Sequence, residues 1–152
     1  MSAGKYDLVV GVLRKLNAEV KFWKVNIKPG MPLMFAVCRE RPVFGLPGNP
    51  VSGMVTFLRF VKPALRRMMG HNLPGEVLRV HATLEHDLEK QDGKRHFVRG
   101  ILTYKGTAMS VRTTGSQASN ILTSIAKANC FIILPEDTRS PRAGDEVEVE
   151  LL

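Results

Sequence analysis

Cysteine and long apolar runs are both scarce in this chain of 152 residues. Its two cysteines, Cys38 and Cys130, have no second cysteine or histidine at metal-ligand spacing, so we expect buried, reduced thiols instead of a disulfide or zinc site. No apolar run approaches the roughly 18–20 residues that cross a bilayer, and the first residues contain no signal-peptide core. We therefore expect a cytoplasmic protein that does not enter a membrane.

Acidic residues are also in short supply, since 14 of them face 22 Lys and Arg and the formal charge is +8. Such a charge suits an anionic partner without identifying it. The basic residues are spread along the chain, and no RNP-type sequence, zinc finger or basic arm favours nucleic acid. The four histidines show no metal-ligand spacing, and no order of Ser, His and Asp indicates a nucleophilic catalyst. A phosphorylated small molecule, an oxyanion or a merely solvated basic surface accounts for the charge.

The first half of the chain predicts an α/β unit. Apolar residues at helical spacing predict a helix over residues 7–17, and alternation over 20–27 predicts a strand. A turn rich in Pro and Gly follows at 28–32. Two short strands are then predicted at 33–38 and 42–46.

The segment 45–52, Gly-Leu-Pro-Gly-Asn-Pro-Val-Ser, predicts a turn from a strand into a helix. Asn49 suits the N-cap and Pro50 suits the first helical position. We expect the helix to reach Gly70, with a kink at Pro63 or a break just before it. Free backbone N–H groups at such a turn bind anions, although a well-built cap without a ligand explains the same residues.

Beyond Gly70 the sequence changes to short strands separated by glycine turns, which predicts a small barrel or sandwich. We place a domain boundary near residue 73 and a short helix over 119–128. The predicted strands are 78–84, 97–104, 108–112 and 131–134, and residues 143–151 are predicted to form a turn followed by an alternating strand.

Two features of the first half suggest an anion site. Lys24 and Lys28 are four apart on the predicted strand and would share a face, where they repel each other unless an anion lies between them. Lysines that simply extend from an exposed strand are the alternative. Asp7, at the start of the first helix, either stabilises the helix dipole or holds a divalent cation such as Mg²⁺.

The second half contains two further candidate anion-binding segments. Alternation over 94–100 places Arg95, Phe97 and Arg99 on one face, and arginine forks suit oxyanions. An edge strand protected by its charge is the alternative. The segment 113–120 is rich in small hydrogen-bond donors and precedes a helix, so it predicts a second anion nest.

Taken in order, these motifs resemble the MoeA/gephyrin E-domain family of molybdopterin molybdenumtransferases. The resemblance covers essentially the whole chain. The motifs are S-x-G-x-x-D at 2–7, F-W-K-x-x-x-K-P-G-x-P at 22–32, G-L-P-G-N-P-V-S at 45–52, F-V-x-P-A-L at 60–65, F-x-R-G at 97–100, G-S-Q-x-S at 115–119, A-K-A-N at 126–129 and A-G-D-x-V-E-V at 143–149.

The resemblance implies a fold and a reaction. We expect the C-terminal part of a MogA-like, molybdopterin-binding α/β domain over residues 1–73, then a small C-terminal β-barrel domain over 74–152. The implied reaction inserts molybdate into adenylylated molybdopterin and releases AMP, with help from Mg²⁺. The complete family protein is a homodimer, and neither nucleic acid nor a membrane is an implied partner.

The resemblance also implies roles for single residues. Asp7, Lys24 and Lys28 would be catalytic, and Asp7 would also be a metal ligand. The residues that would bind the cofactor or its precursors are Ser2, Gly4, Pro29, Gly48, Asn49, Ser52, Arg99, Ser116 and Ser119. Lys94 stands where the family has Arg, with Arg95 beside it, so the sequence leaves open which of these cations contacts the anion.

One departure from the family concerns the front of the chain. The family's T-G-D-E segment and its N-terminal domains have no counterpart in these 152 residues. We therefore expect a fragment that is inactive alone. The alternatives are a non-catalytic scaffold module of the same family, or a generic basic module that binds anions or nucleic acid.

Overall fold

The computed structural model describes residues 8–71 and 77–152, which form two compact units. The boundary predicted near residue 73 lies outside the described residues. None of the described helices is long and apolar enough to cross a membrane. The elements of the first unit are α1 (Val9–Lys15), β1 (Glu19–Trp23), β2 (Ile27–Lys28), β3 (Met34–Cys38), β4 (Arg41–Gly45), α2 (Pro50–Thr56), a π-helical turn (Phe57–Val61) and α3 (Lys62–Met68).

Helix α1 ends where the sequence predicted a stop. Asn17 has a positive φ of 53°, and its N–H donates to the carbonyl of Arg14 at 3.0 Å. The apolar spacing of α1 buries Leu13 against Met34 and Ala36 of β3. The helix is therefore fixed to the sheet by one apolar side while the rest of it is exposed.

The strand predicted over residues 20–27 is confirmed only as far as Trp23, and the rest of the prediction is wrong. β1 ends at Trp23 because Lys24 adopts the left-handed region, with φ of +71°, and its N–H donates to the carbonyl of Leu33 at 2.8 Å. Lys28 belongs to a separate two-residue strand. The argument that spacing on one strand places both lysines on one face is therefore also wrong.

The two short strands predicted next are confirmed as the hairpin β3–β4. The antiparallel sheet has the order β1-β3-β4, and Cys38 pairs with Arg41 across the hairpin end. The connecting residues Arg39 and Glu40 both have positive φ, 49° and 63°, as a tight two-residue turn between twisted strands requires.

The long helix changes its hydrogen-bonding pattern just before its inner proline. α2 begins at Pro50 after an extended Asn49, and Pro63 lies in the first turn of α3. The π-helical turn Phe57–Val61 joins the two without a non-helical residue, so the helix is not broken before Pro63. Gly70, with φ of +87°, closes the segment.

The second unit is a closed five-stranded barrel. Its strand order is β6-β7-β5-β9-β8, and β8 pairs back onto β6. The predicted α/β unit followed by a small β-barrel is therefore confirmed, although the helix predicted over 119–128 is shorter. The elements are β5 (Arg79–Leu84), β6 (Arg95–Lys105), β7 (Ala108–Thr113), α4 (Leu122–Ala126), β8 (Cys130–Leu134) and β9 (Glu146–Leu151).

The barrel core is apolar and tightly closed around Gly100 of β6. The core residues are Ala82, Leu84, Val98, Leu102, Val111, Cys130, Ile132, Leu134, Val147 and Val149. A Cβ at Gly100 would lie 2.9 Å from Cys130 Sγ and 3.1 Å from Ile132 Cγ1. The position therefore accepts no side chain unless the core moves.

Candidate functional site

The candidate site residues fall in three groups. Ser2, Gly4 and Asp7 lie outside the described residues, and their roles stay predictions. The first unit contains Lys24, Lys28, Pro29, Gly48, Asn49 and Ser52, and the second contains Arg99, Ser116 and Ser119.

The segment that carries the two lysines is held by backbone hydrogen bonds. Besides the bond from Lys24 to Leu33, the N–H of Val25 donates to the carbonyl of Met31 at 2.9 Å. Both lysines are exposed, and the Lys28–Pro29 peptide is cis. The loop therefore presents two ammonium groups from a bonded backbone.

Gly30 seats this loop against α2. Its φ of +118° is a conformation that favours glycine, and a Cβ there would lie 2.6 Å from Thr56 Cγ2 and 3.0 Å from Ile27 Cδ1. Thr56 is itself fixed, because its hydroxyl donates to the carbonyl of Ser52 at 2.8 Å. The glycine of the K-P-G-x-P motif is thus required by close packing.

Lys24 differs from its neighbour Lys21 in its electrostatic partners. Lys21 pairs with Glu19 at 2.5 Å. In the described part of the chain no carboxylate contacts Lys24, whose ammonium lies 5.2 Å from the ring centroid of the half-exposed Trp23. A cation over an aromatic face keeps its charge available to an anion.

The turn at Gly48 and Asn49 leaves one polar atom without a partner. Asn49 occupies the N-cap position, but its side chain makes no capping hydrogen bond, contrary to the expected role. Its Oδ1 is buried and accepts no hydrogen bond from any described residue. Nothing lies within 4 Å of a Cβ placed on Gly48, so space is open beside the turn. The turn therefore presents a desolvated acceptor next to that space.

Arg99 is the most completely buried cation of the second unit, with 1% of its surface exposed. Its Nε donates to Ser124 Oγ and its Nη2 to the carbonyl of Ala118, both at 3.2 Å. No described carboxylate contacts it, and burial lowers the pKa of its guanidinium. A buried charge with only neutral partners is costly unless an anion compensates it.

Strand β6 pairs with β8 over His96–Gly100 and with β7 over Gly100–Lys105, so the two pairings meet at Gly100. The edge-strand interpretation of residues 94–100 stays a prediction. Val98 belongs to the barrel core, and alternation turns Phe97 and Arg99 to the outside of the barrel. Arg95 is exposed and pairs with Glu136 at 3.2 Å, which neutralises it.

The loop after β7 wraps around Arg99. Gln117 Oε1 accepts from the Arg99 N–H at 2.9 Å, and Gln117 Nε2 donates to the Arg99 carbonyl at 3.2 Å. Ser116 is exposed, and its hydroxyl accepts from the N–H of Ala118 at 3.4 Å. The sequence placed Gln117 inside a motif but gave no sign of this contact, and Ser124 carried no signal at all.

Lys90 is a second buried cation that the sequence did not single out. Its Nζ donates to the carbonyls of Asp92 at 2.8 Å, Glu136 at 2.9 Å and Thr138 at 3.0 Å. These carbonyls border a cavity of about 640 Å³. The lysine therefore fastens two loops, and its three protons are all used.

Comparison with known proteins gives two family matches and a consistent set of relatives. Residues 1–67 match the family described as probable molybdopterin binding domain, and residues 81–152 match the MoeA C-terminal region (domain IV). The molybdopterin molybdenumtransferase of Haemophilus influenzae is 34% identical over 99% of this chain and 37% of its own length. That of Bacillus subtilis is 34% identical over 100% of this chain and 35% of its length.

Solved structures agree with these matches. The crystal structure of a molybdopterin biosynthesis moeA protein from Pyrococcus horikoshii has a TM-score of 0.74 and 33% identity over 95% of this chain and 34% of that one. A molybdenum cofactor biosynthesis protein from Pyrococcus furiosus has a TM-score of 0.71 and 31% identity over 97% of this chain and 55% of that one. The chain thus spans 35–37% of the length of the curated relatives given above.

Proposed function

Because the chain belongs to the MoeA family, we propose that it serves molybdenum cofactor biosynthesis by helping to insert molybdate into adenylylated molybdopterin with release of AMP. The two family matches and the relatives named molybdopterin molybdenumtransferase support this proposal. We expect it to act in the cytoplasm, as part of a homodimer when joined to the remaining family domains. A polypeptide of these 152 residues alone would bind the anions without completing the reaction.

The observation that carries the proposal is the contrast between paired and unpaired cations. At the motif positions, neither Lys24 nor Arg99 contacts a carboxylate in the described part of the chain, whereas the nearby cations Lys21 and Arg95 are both in ion pairs. Both proposed substrates are anions, so the uncompensated charges of Lys24 and Arg99 support the proposal. The same contrast favours Arg99 over Arg95 as the anion contact that the sequence left open.

We assign the chemistry to electrostatic positioning. Molybdate and the phosphoanhydride of adenylylated molybdopterin repel each other, and a cation bound to either anion lowers that repulsion as negative charge develops on the departing AMP. Lys24 and Lys28 would offset the charges of the phosphates and of the molybdate. Arg99, with the hydroxyls of Ser116 and Ser119, would hold the oxyanion.

The turn residues would recognise the pterin. A pterin ring offers N–H donors, and the buried Asn49 Oδ1 has no donor among the described residues. Gly48 leaves open space next to it, and we place Pro29 and Ser52 beside the same ligand. A bound N–H group would satisfy an acceptor that otherwise costs about 1–3 kcal/mol.

The described residues do not by themselves fit Mg²⁺. Across 8–71 and 77–152, no group of three His, Cys, Asp or Glu side chains could hold a metal ion. Asp7, the proposed ligand, lies outside this part of the chain. We therefore derive no step through the metal.

Titration calorimetry of the 152-residue chain with sodium molybdate tests the proposal. We expect Lys24→Gln and Arg99→Lys each to weaken binding about tenfold, which is about 1.4 kcal/mol. Lys21→Gln and Arg95→Lys are matched controls, because each makes the same substitution at a residue that is in an ion pair, and we expect them to bind within about twofold of the parent. Equal losses in all four variants, or salt-sensitive binding of RNA in place of molybdate, would contradict the proposal and favour a generic basic module.

A further inference from the structure

The side chain of Gln117 forms hydrogen bonds with the backbone of Arg99 just beyond the end of β7. The β6–β7 ladder ends at the pair Gly100–Thr113, and just beyond it the Arg99 carbonyl still accepts from the N–H of Thr114 at 3.0 Å. The Gln117 amide accepts from the Arg99 N–H and is a second donor to the Arg99 carbonyl. Its Nε2 also donates to the carbonyl of Gly115 at 3.1 Å, which closes the loop on itself. The Gln117 amide therefore extends the hydrogen bonding of β6 to Arg99, at the point where the chain leaves β7.

The segment that follows β7 also contacts the Arg99 guanidinium, through Ala118 and Ser124. Ser124 is 3% exposed, and its hydroxyl donates to the carbonyl of Ile121 at 2.6 Å. Because its one proton is used there, its oxygen faces Arg99 Nε as an acceptor. The Ala118 carbonyl takes Nη2, while Nη1 donates to no residue in the described ranges. The charge is therefore oriented by neutral groups, and one nitrogen is left for a ligand.

We infer that Gln117 and Ser124 are positioning residues, which fix the backbone and the guanidinium of Arg99 so that Nη1 meets an oxyanion. The inference rests on the proposed function, in which Arg99 contacts molybdate. A carboxylate in place of the Ser124 hydroxyl would also fix the guanidinium but would neutralise it. Neutral oxygens hold the side chain and preserve its attraction for the anion.

The test measures molybdate binding by calorimetry and the Arg99 Nε–H signal by ¹⁵N NMR on the same 152-residue variants. We expect Ser124→Ala to weaken molybdate binding about tenfold, as the loss of one hydrogen bond to a charged group predicts. The Nε–H signal of Arg99 should lose its protection from solvent exchange in that variant. Ser124→Thr, which keeps the hydroxyl, should restore both.

Gln117 needs its own variants, since a general loss of folding would also weaken binding. Gln117→Glu keeps the size but places a negative charge beside Arg99 and a carboxylate oxygen against two carbonyls, so we expect at least a tenfold loss. Gln117→Met keeps the volume without hydrogen bonds and should show the same loss of Nε–H protection. Thermal unfolding of each variant identifies those that fail to fold, and Ser124→Thr then carries the decision.

The outcomes separate the two ideas. Molybdate binding that falls in Arg99→Lys but is unchanged in Ser124→Ala and Gln117→Glu would overturn the positioning roles and leave the proposed function standing. Absence of molybdate binding by the parent chain would overturn the proposed function itself. Loss of binding in Ser124→Ala, recovered in Ser124→Thr, supports both.

Discussion

The packing around Gly100 gives a stability prediction whose size follows from the structure. In Gly100→Ala the new methyl would lie 2.9 Å from Cys130 Sγ, 3.1 Å from Ile132 Cγ1 and 3.3 Å from Val111 Cγ2. All three neighbours are fully buried, and β6 is bonded on both sides at this point, so no neighbour can move freely. Overpacking of this kind costs about 1–3 kcal/mol, partly offset by the reduced entropy of the unfolded chain.

Thermal unfolding measured by circular dichroism tests this prediction. For a domain of this size, 1 kcal/mol lowers the Tm by roughly 4–8 °C, so we expect Gly100→Ala to lower it by about 5–20 °C. Gly93→Ala is the matched control, because its Cβ would meet nothing within 4 Å, and its free energy of unfolding should change by less than about 0.5 kcal/mol.

A double variant locates the strain. If Cys130 Sγ is the main obstacle, Gly100→Ala should cost about 1 kcal/mol less in a Cys130→Ala background. Equal Tm values for Gly100→Ala and Gly93→Ala would refute the account of the core, since they would show that the barrel yields to a methyl without cost.

Three further predictions concern buried or paired ionisable groups. Lys90→Met leaves three carbonyls without their donor, so the free energy of unfolding in urea should fall by about 2–4 kcal/mol, and an unchanged midpoint would contradict this. Burial raises the pKa of the Cys130 thiol to about 11, so iodoacetamide at pH 8 should label Cys38 in the native chain and Cys130 only after unfolding, as mass spectrometry would show. The N–H of Ala143 holds the pKa of Asp87 below its ordinary value, so this carboxylate stabilises the fold above about pH 4 and the contribution is lost as pH falls through the folded pKa. Asp87→Asn should therefore be less stable than the parent at pH 7, and a difference that persists unchanged at pH 2 would argue against that origin.

Much of the fold could be predicted because its signals are local. Asn17 stops α1, a π-helical turn precedes Pro63 in the long helix, and Gly70 ends that helix. The hairpin-like turn at Lys105 and Gly106 separated the predicted strands Phe97–Tyr104 and Ala108–Arg112, which are β6 and β7. Lys24 was missed because a left-handed lysine leaves the apolar alternation around it intact, so the strand seemed to continue.

The site was harder to predict because its contacts join residues distant in sequence. The order of the motifs identified the family, but not that Arg99 is buried or that Gln117 bonds its backbone over 18 residues. Ser124 and Lys90 lie in no motif that the sequence singled out. Their roles arise from side chains that meet only after the barrel closes.

The central claim is that Lys24 and Arg99, which contact no carboxylate among the described residues, bind molybdate. Crystals soaked in sodium molybdate, measured at the molybdenum absorption edge, test it directly because the anomalous signal locates the metal. We predict a molybdenum peak within hydrogen-bonding distance of Lys24 Nζ or Arg99 Nη1. Peaks confined to the paired residues Lys21 and Arg95, or no peak, would contradict the account.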